Sequence, residues 1–253
     1  MSIAPLIELK NVSRAYKKNG ARAVGVSNVS FSVQEGEIIA LVGPSGCGKT
    51  TILRMIADII SPDTGSVVYE NRSINHARIT GLIGYVPQSP SLIPFRSVVG
   101  NIRLPLEIKG TPDASRVEEL VSLCALEGFE NYFPSELSGG MKQRTAIACA
   151  LACHPRVLLM DEPFAALDEM IKEKLNEEVL RIQSALKTTI VYVTHNIEEA
   201  VFLANRVVVL SPEPGSVVGI IPIDLPLVRD ARLRTDPRFF QETIKVRNML
   251  KSI

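Results

Sequence analysis

Tryptophan is absent from this 253-residue chain, and aromatic residues make up only 5% of it. Little is left from which to build a platform for stacking bases. Neither sign of charge predominates, with 28 Lys+Arg against 27 Asp+Glu for a net charge of +1. Nothing in that balance marks a polyanion as the main partner, and no nucleic-acid partner is expected. Long apolar runs are missing: none approaches the ~18–20 residues of a spanning helix. Residues 1–10 also lack the sustained apolar core of a signal peptide. Membrane association is therefore expected to go through a partner. The four cysteines, Cys47, Cys124, Cys149 and Cys153, form no Cys-x-x-Cys pair and have no histidine cluster beside them. They read as small buried residues of a reduced protein rather than zinc ligands or a disulfide. Internal repeats and low-complexity tracts are absent too.

What the chain does have is two phosphate cradles. Gly43, Pro44, Ser45, Gly46, Cys47, Gly48, Lys49 and Thr50 fit the pattern GxxxxGK[ST], between a short buried strand and a helix. Gly46 and Gly48 let backbone N–H groups curve into a concave nest. Lys49 brings a point charge to the β- and γ-phosphates, and the Thr50 hydroxyl is placed for Mg²⁺. The Cys47 thiol is expected in the phosphate nest. The second cradle is Leu137, Ser138, Gly139, Gly140, Met141. Ser138 is a natural N-cap, and the glycines admit a ligand to a helix start whose free N–H groups and dipole favour an anion. One nucleotide does not need two cradles from one chain. The economical explanation is that each is half of a site, closed by a second copy.

Three further signals lie at strand ends. Residues 157–160 are apolar and run into Asp161 and Glu162. In a parallel sheet ligands sit beyond the carboxyl ends of strands. Asp161 then faces a magnesium hydration shell, and Glu162 is placed to polarise an attacking water. His195 ends the strand 190–194, where its ring can reach a γ-phosphate or that water. Gln88 follows the strand 83–86 and can reach magnesium or water through its carbonyl.

Apolar β-branched runs alternating with helical patterns make this an α/β protein with a parallel sheet covered on both faces. Strands are expected at 7–12, 26–33, 37–42, 66–69, 82–87, 157–160, 189–194 and 206–210, with a polar turn at 17–20. Helices are expected at 51–60, 115–124, 141–153, 169–186 and 197–204. Four prolines punctuate the first part of 88–155, which reads as a mainly helical insert. The tail after Pro212 is less regular. Asp236-Pro237 opens a helix whose Phe239, Val246, Leu250 and Ile253 fall near one face. Packing on its own domain is the favoured reading, and docking on a partner the alternative.

These motifs resemble, in order, those of the ATPase subunits of ABC transporters. The match covers about residues 6–212: the phosphate loop 43–50, the Q-loop Gln88, the signature 137–141, the Walker B strand with Asp161 and Glu162, the D-loop Asp168 and the switch His195. The resemblance implies a P-loop NTPase (RecA-like) core, an N-terminal antiparallel β subdomain and an inserted α-helical subdomain. The chain is then one domain, 1–253. Its nucleotide-binding core is 1–87 plus 156–211, its helical subdomain 88–155 and its tail 212–253. The resemblance also implies ATP and Mg²⁺ as cofactors. Tyr16 occupies the place of the adenine-stacking aromatic, and Thr51 and Asp168 join the nucleotide contacts. Catalytic roles fall to Lys49, Gln88, Glu162 and His195, with Thr50, Gln88 and Asp161 at the metal. In this family two subunits pack head to tail, so Ser138, Gly139 and Gly140 serve the opposite subunit's ATP.

The expected partners are a second copy or a paralogous ATPase subunit, a transmembrane permease, and indirectly an extracytoplasmic solute-binding protein. The expected location is peripheral, on the cytoplasmic face of the cell membrane. Cys47 within the loop, residues 161–168, and the tail 210–215 with Asp224-Leu225-Pro226 resemble the ATPases of nitrate, sulfonate and taurine importers. Ile93-Pro94-Phe95 departs from the Leu-Pro-Trp frequent in that group. Two alternatives stay open. One is a soluble ABC ATPase of cofactor assembly, and the other an ATPase of an export or mechanotransmission system, which the long tail disfavours.

Overall fold

The computed structural model describes residues 4–18, 21–70, 72–73, 81–226 and 228–252. The expected turn at 17–20 falls partly on residues 19–20, outside the described residues. Two sheets organise the chain. The first is antiparallel, in the order β2-β1-β4-β5, from β1 (Ile7–Lys18), β2 (Ala21–Val33), β4 (Thr64–Tyr69) and β5 (Arg72–Ser73). The second has the order β10-β9-β3-β8-β7-β6. It comprises β3 (Ile38–Val42), β6 (Ile83–Val86), β7 (Val157–Asp161), β8 (Thr189–Val193), β9 (Arg206–Leu210) and β10 (Val217–Pro222).

The second sheet lies between two hydrophobic cores, and its strands show why. Successive side chains of a strand point to opposite faces. Ile38, Ala40 and Val42 of β3 enter one core while Ile39 and Leu41 enter the other. Leu158 and Met160 part from Val157 and Leu159 in the same way, as do Ile190 and Tyr192 from Val191 and Val193. A strand buried on both faces reads as a continuous apolar run, which is how these three look in the sequence. One core packs the antiparallel sheet and α1 (Lys49–Ile56) against the central strands. The other holds α2 (Val98–Lys109), α3 (Ala114–Leu123), α4 (Gly139–Leu151), α5 (Glu169–Leu186), α6 (Ile197–Leu203) and α7 (Pro237–Lys251).

The structure corrects the sequence reading in three places. The main sheet is mixed: β10 adds to its edge antiparallel to β9, within the tail read as irregular. Helix α2 occupies the stretch that the four prolines punctuate, where no helix span is expected, and Pro105 lies inside it. Ser97 caps its start, accepting from Gly100 N, and Gly110 ends it at φ 72. Burial of Val98, Asn101, Ile102 and Leu106 on one face offsets the missing proline donor. Strands β1 and β2 are also longer than expected, because the ladder continues from Arg14–Val26 to Lys18–Ala21. The tail helix packs on its own chain: Phe239 and Val246 are buried in the core and Leu250 is partly so, while Ile253 lies outside the described residues.

Candidate nucleotide site

Four strands of the main sheet deliver the site to one edge. Strand β3 feeds the loop 43–50, β7 ends at Asp161, β8 ends just before Thr194 and His195, and β6 leads to Gln88. Parallel pairing sets the levels: Leu41 lies opposite Val193, Asp161 opposite Val193, and Val86 opposite Met160. Gln88 is exposed, two residues past Val86, the last residue of β6 to pair with β7.

The start of α1 is left free for a ligand. Its N-cap, Gly48, sits at φ 92 with no side-chain capping bond, and no acidic residue occupies the first turn. Five other helices are capped by Ser97, Asp113, Ser138, Asn196 and Asp236. Open N–H groups at the positive end of a helix are an anion site. Pro44, Ser45 and Gly46 are exposed at the rim, whereas Lys49 is buried and its Nζ donates to the carbonyls of Gly43 at 2.9 Å and Pro44 at 3.0 Å. The ammonium is thus held inside the loop by carbonyl oxygens that a phosphate can replace as partners.

Thr50 Oγ1 donates to Asp161 Oδ1 at 2.8 Å, and Tyr85 Oη donates to Asp161 Oδ2 at 3.0 Å. Burial, reinforced by the Asp161 charge, pushes the Tyr85 phenol up to about 12, so it remains a donor at neutral pH. Among the described residues no group of three or more His, Cys, Asp or Glu is gathered as a metal cage. A hydroxyl beside one carboxylate suits a hard cation that keeps waters and shares phosphate oxygens.

Glu162 is in the left-handed region, φ 44, which costs a non-glycine residue about 1–2 kcal/mol. Its N–H is held by the Val193 carbonyl at 3.0 Å. That turn separates it from Asp161 and brings its Oε2 within 3.2 Å of His195 Nδ1. Behind His195, Thr194 Oγ1 donates to Glu199 Oε2 at 2.7 Å and accepts from Asn196 N at 3.0 Å. Burial raises the Glu199 carboxyl above the ordinary carboxylate range. Tyr16, at 39% exposure, donates from its hydroxyl to Thr51 Oγ1 at 3.1 Å, which sets its ring beside α1.

The signature residues form a separate surface. Ser138 and Gly139 are exposed, and Ser138 caps α4 through Met141 N at a long 3.3 Å. A Cβ on Gly139 would stand 2.9 Å from Leu167 Cδ2, and one on Gly140 3.2 Å from Ile171 Cγ2. This helix start therefore rests on the segment around the exposed Asp168, at the start of α5. Cys47 departs from expectation. Its side chain is fully buried in the core, with Lys49 Nζ 3.9 Å from its Sγ, and burial raises its pKa, so the thiol is closed off from solvent. Tyr85, Glu199 and Asn196 were missed in the sequence. Of these, only Asn196 carries a local signal, as an N-cap before residues 197–203.

The arrangement defines a P-loop nucleotide cassette. The family model described as "ABC transporter" matches residues 26–165, and the chain belongs to that family as an ATP-binding, ATP-hydrolysing cassette. It is 37% identical over 257 residues to the nitrate import ATP-binding protein of Synechocystis, covering 97% of this chain and 95% of that one. It is 40% identical over 226 residues to the aliphatic sulfonates import ATP-binding protein of Bacillus subtilis, covering 89% and 87%. A dimeric ATP-binding cassette in a post-hydrolysis state bound to ADP and Pi superposes with a TM-score of 0.75 at 32% identity, over 87% of this chain and 100% of that one.

Proposed function

We propose that two copies of this cassette pack head to tail, enclose ATP between them, and use its hydrolysis to drive an importer of small oxyanions or sulfonates. The observation that carries the reading is the Glu162–His195 pair, 3.2 Å apart, at the same sheet edge as Thr50 and Asp161. Phosphoryl transfer is mostly positioning and charge neutralisation. In this reading the open N–H groups of residues 46–50 hold the β- and γ-phosphates. Lys49 exchanges its carbonyl partners for phosphate oxygens, and Tyr16 covers the base. Thr50, Asp161 and Gln88 would hold Mg²⁺. Bound there, Mg²⁺ would neutralise charge on the β- and γ-phosphate oxygens. Glu162 orients the attacking water and accepts its proton, while His195 steadies the γ-phosphate and the Glu162 carboxylate.

Ser138, Gly139 and Gly140 of the opposite copy complete each site, with Asp168 at the junction. We assign nucleotide binding to residues 1–87 with 156–211, and transmission to the helical part 88–155. Asn101 supports that transmission: its side chain bonds Ile93 N at 2.7 Å, Arg96 O at 2.8 Å and Ser97 O at 3.0 Å, tying the stretch after Gln88 to α2. The permease would sit on that part, which places the cassette at the cytoplasmic face of the membrane, with a solute-binding protein outside. Among the described residues no helix is long and apolar enough to cross a membrane.

Co-purification with the cognate permease, followed by ATPase assays over nitrate, sulfonates and cationic controls, tests the substrate class. Stimulation by the anions supports it, and stimulation by cations alone contradicts it. Glu162→Gln tests the chemistry. It should lower kcat by about 100-fold or more while ATP still binds, and undiminished turnover would remove Glu162 from its role.

A further inference from the structure

The tail sequence Leu210-Ser211-Pro212-Glu213-Pro214-Gly215 takes no part in the site described above, yet it lies against it. Residues 211–216 join β9 to β10 as a closed loop. Ser211 N donates to Ser216 O at 2.9 Å, Ser216 N donates to Ser211 Oγ at 2.9 Å, and Ser211 Oγ donates to Pro214 O at 3.1 Å. The loop is pinned to β2 at its far end: Gly215 N donates to Gly25 O at 3.1 Å and Ser27 N to Gly215 O at 2.9 Å.

This seats Gly215 on the back of the phosphate loop. A Cβ there would overlap the Cys47 carbonyl oxygen and stand 3.0 Å from its carbon. The φ of Gly215 lies outside the left-handed region, so alanine would be strained by contact alone. The next residue of the loop is equally confined: a Cβ on Gly48 would overlap Val26 Cγ1 and stand 2.9 Å from Gly25 O. Cys47 is fully buried, so it can yield only by displacing the residues packed around it. Its N–H donates to Pro44 O at 3.3 Å, and that same carbonyl holds Lys49 Nζ. Moving the Cys47 carbonyl turns the peptide that carries the Gly48 N–H, at the open start of α1.

We propose that residues 211–216 are a positioning device for the phosphate loop, with Gly215 as the positioning residue. The missing side chain at 215 sets the place of the 47–48 peptide. Through that peptide it sets the N–H groups and the ammonium that receive the nucleotide's phosphates. The inference rests on reading residues 43–50 as the ATP phosphate site. N–H donors must stand within a few tenths of an ångström of their places to hold a phosphate, and a displacement near 1 Å can cost about 100-fold.

The experiment compares Gly215→Ala with Gly219→Ala. A Cβ at Gly219, on β10, meets the sulfur and methyl of Met249 at 2.6 and 2.8 Å, the flexible end of a side chain that can move aside. ATP KM, kcat and the thermal midpoint of the ligand-free protein are measured for both. Gly215→Ala should raise KM by about tenfold or more and lower kcat as well, because the displaced N–H groups and ammonium also serve the reacting γ-phosphate. Gly219→Ala should change neither. If Gly215→Ala does not fold, Ser211→Ala serves: it removes the acceptor of Ser216 N, loosens the loop, and should raise KM less but in the same direction. An unchanged KM in either folded loop variant overturns the proposal, as does an equal rise in Gly219→Ala. A parent protein that binds no ATP overturns the underlying reading of residues 43–50, and this inference with it.

Discussion

At the scale of single residues, the loop 43–50, Asp161, Glu162 and His195 were legible because each adjoins a glycine cluster or the end of an apolar run. Tyr85 was not: its bond to Asp161 spans 76 positions and exists only once β6 and β7 pair. Glu199 was hidden for a similar reason, since its burial depends on α6 folding back over β8. Cys47 lies in the loop, but sequence order does not reveal that its thiol is closed off, because it does not say which way a turn residue points. The thiolate is the reactive form, and burial works against it. Cys47 should therefore resist maleimide in the native protein at pH 7.5 and react after unfolding. Rapid native labelling of Cys47, read by peptide mass spectrometry, would contradict its placement. Glu199 gives a pH test. Its folded pKa is raised, so the favourable contribution is present below the unfolded carboxylate value of about 4.3 and is lost as pH rises through the folded value. The stability of Glu199→Gln relative to the parent should therefore improve with rising pH. A difference that does not vary with pH in denaturant titrations would contradict this.

At the scale of elements, the buried parallel strands and α5 could be read from composition and period alone. Helix α2 and strand β10 could not. The first contains Pro105, whose cost is offset by burial against α4. The second exists because β9 offers it an edge. Helix α6 shows how the tail supports the site. It has seven residues, with only its cap, Asn196, between it and His195. Asn196 caps its start, while Arg229 holds its end, with Nη1 donating to Val201 O at 3.2 Å, Phe202 O at 2.8 Å and Ala204 O at 3.0 Å. Burial lowers the Arg229 pKa to about 10. A cation at a helix C-terminus complements the macrodipole, and its removal leaves buried carbonyls unpaired. Arg229→Met should destabilise the fold by about 2 kcal/mol. Urea titration giving the parent's stability would show that the tail packs on α6 without supporting it.

At the scale of the whole molecule, one copy presents two incomplete surfaces. The open start of α1, with Lys49, Thr50, Glu162 and His195, lies at one sheet edge. The exposed start of α4 rests on the segment before α5. This division could be inferred from the sequence, because both glycine-bearing helix starts are local features. How they meet could not, because that depends on a second copy. The central claim is that Ser138 serves the neighbour's nucleotide. The most direct test is light scattering after size exclusion, with and without ATP, on Glu162→Gln alone and combined with Ser138→Arg. Glu162→Gln should dimerise only with ATP. The double variant should stay monomeric with ATP while its own ATP affinity is unchanged. A double variant that still dimerises, or one that loses its own ATP affinity, would contradict the composite site.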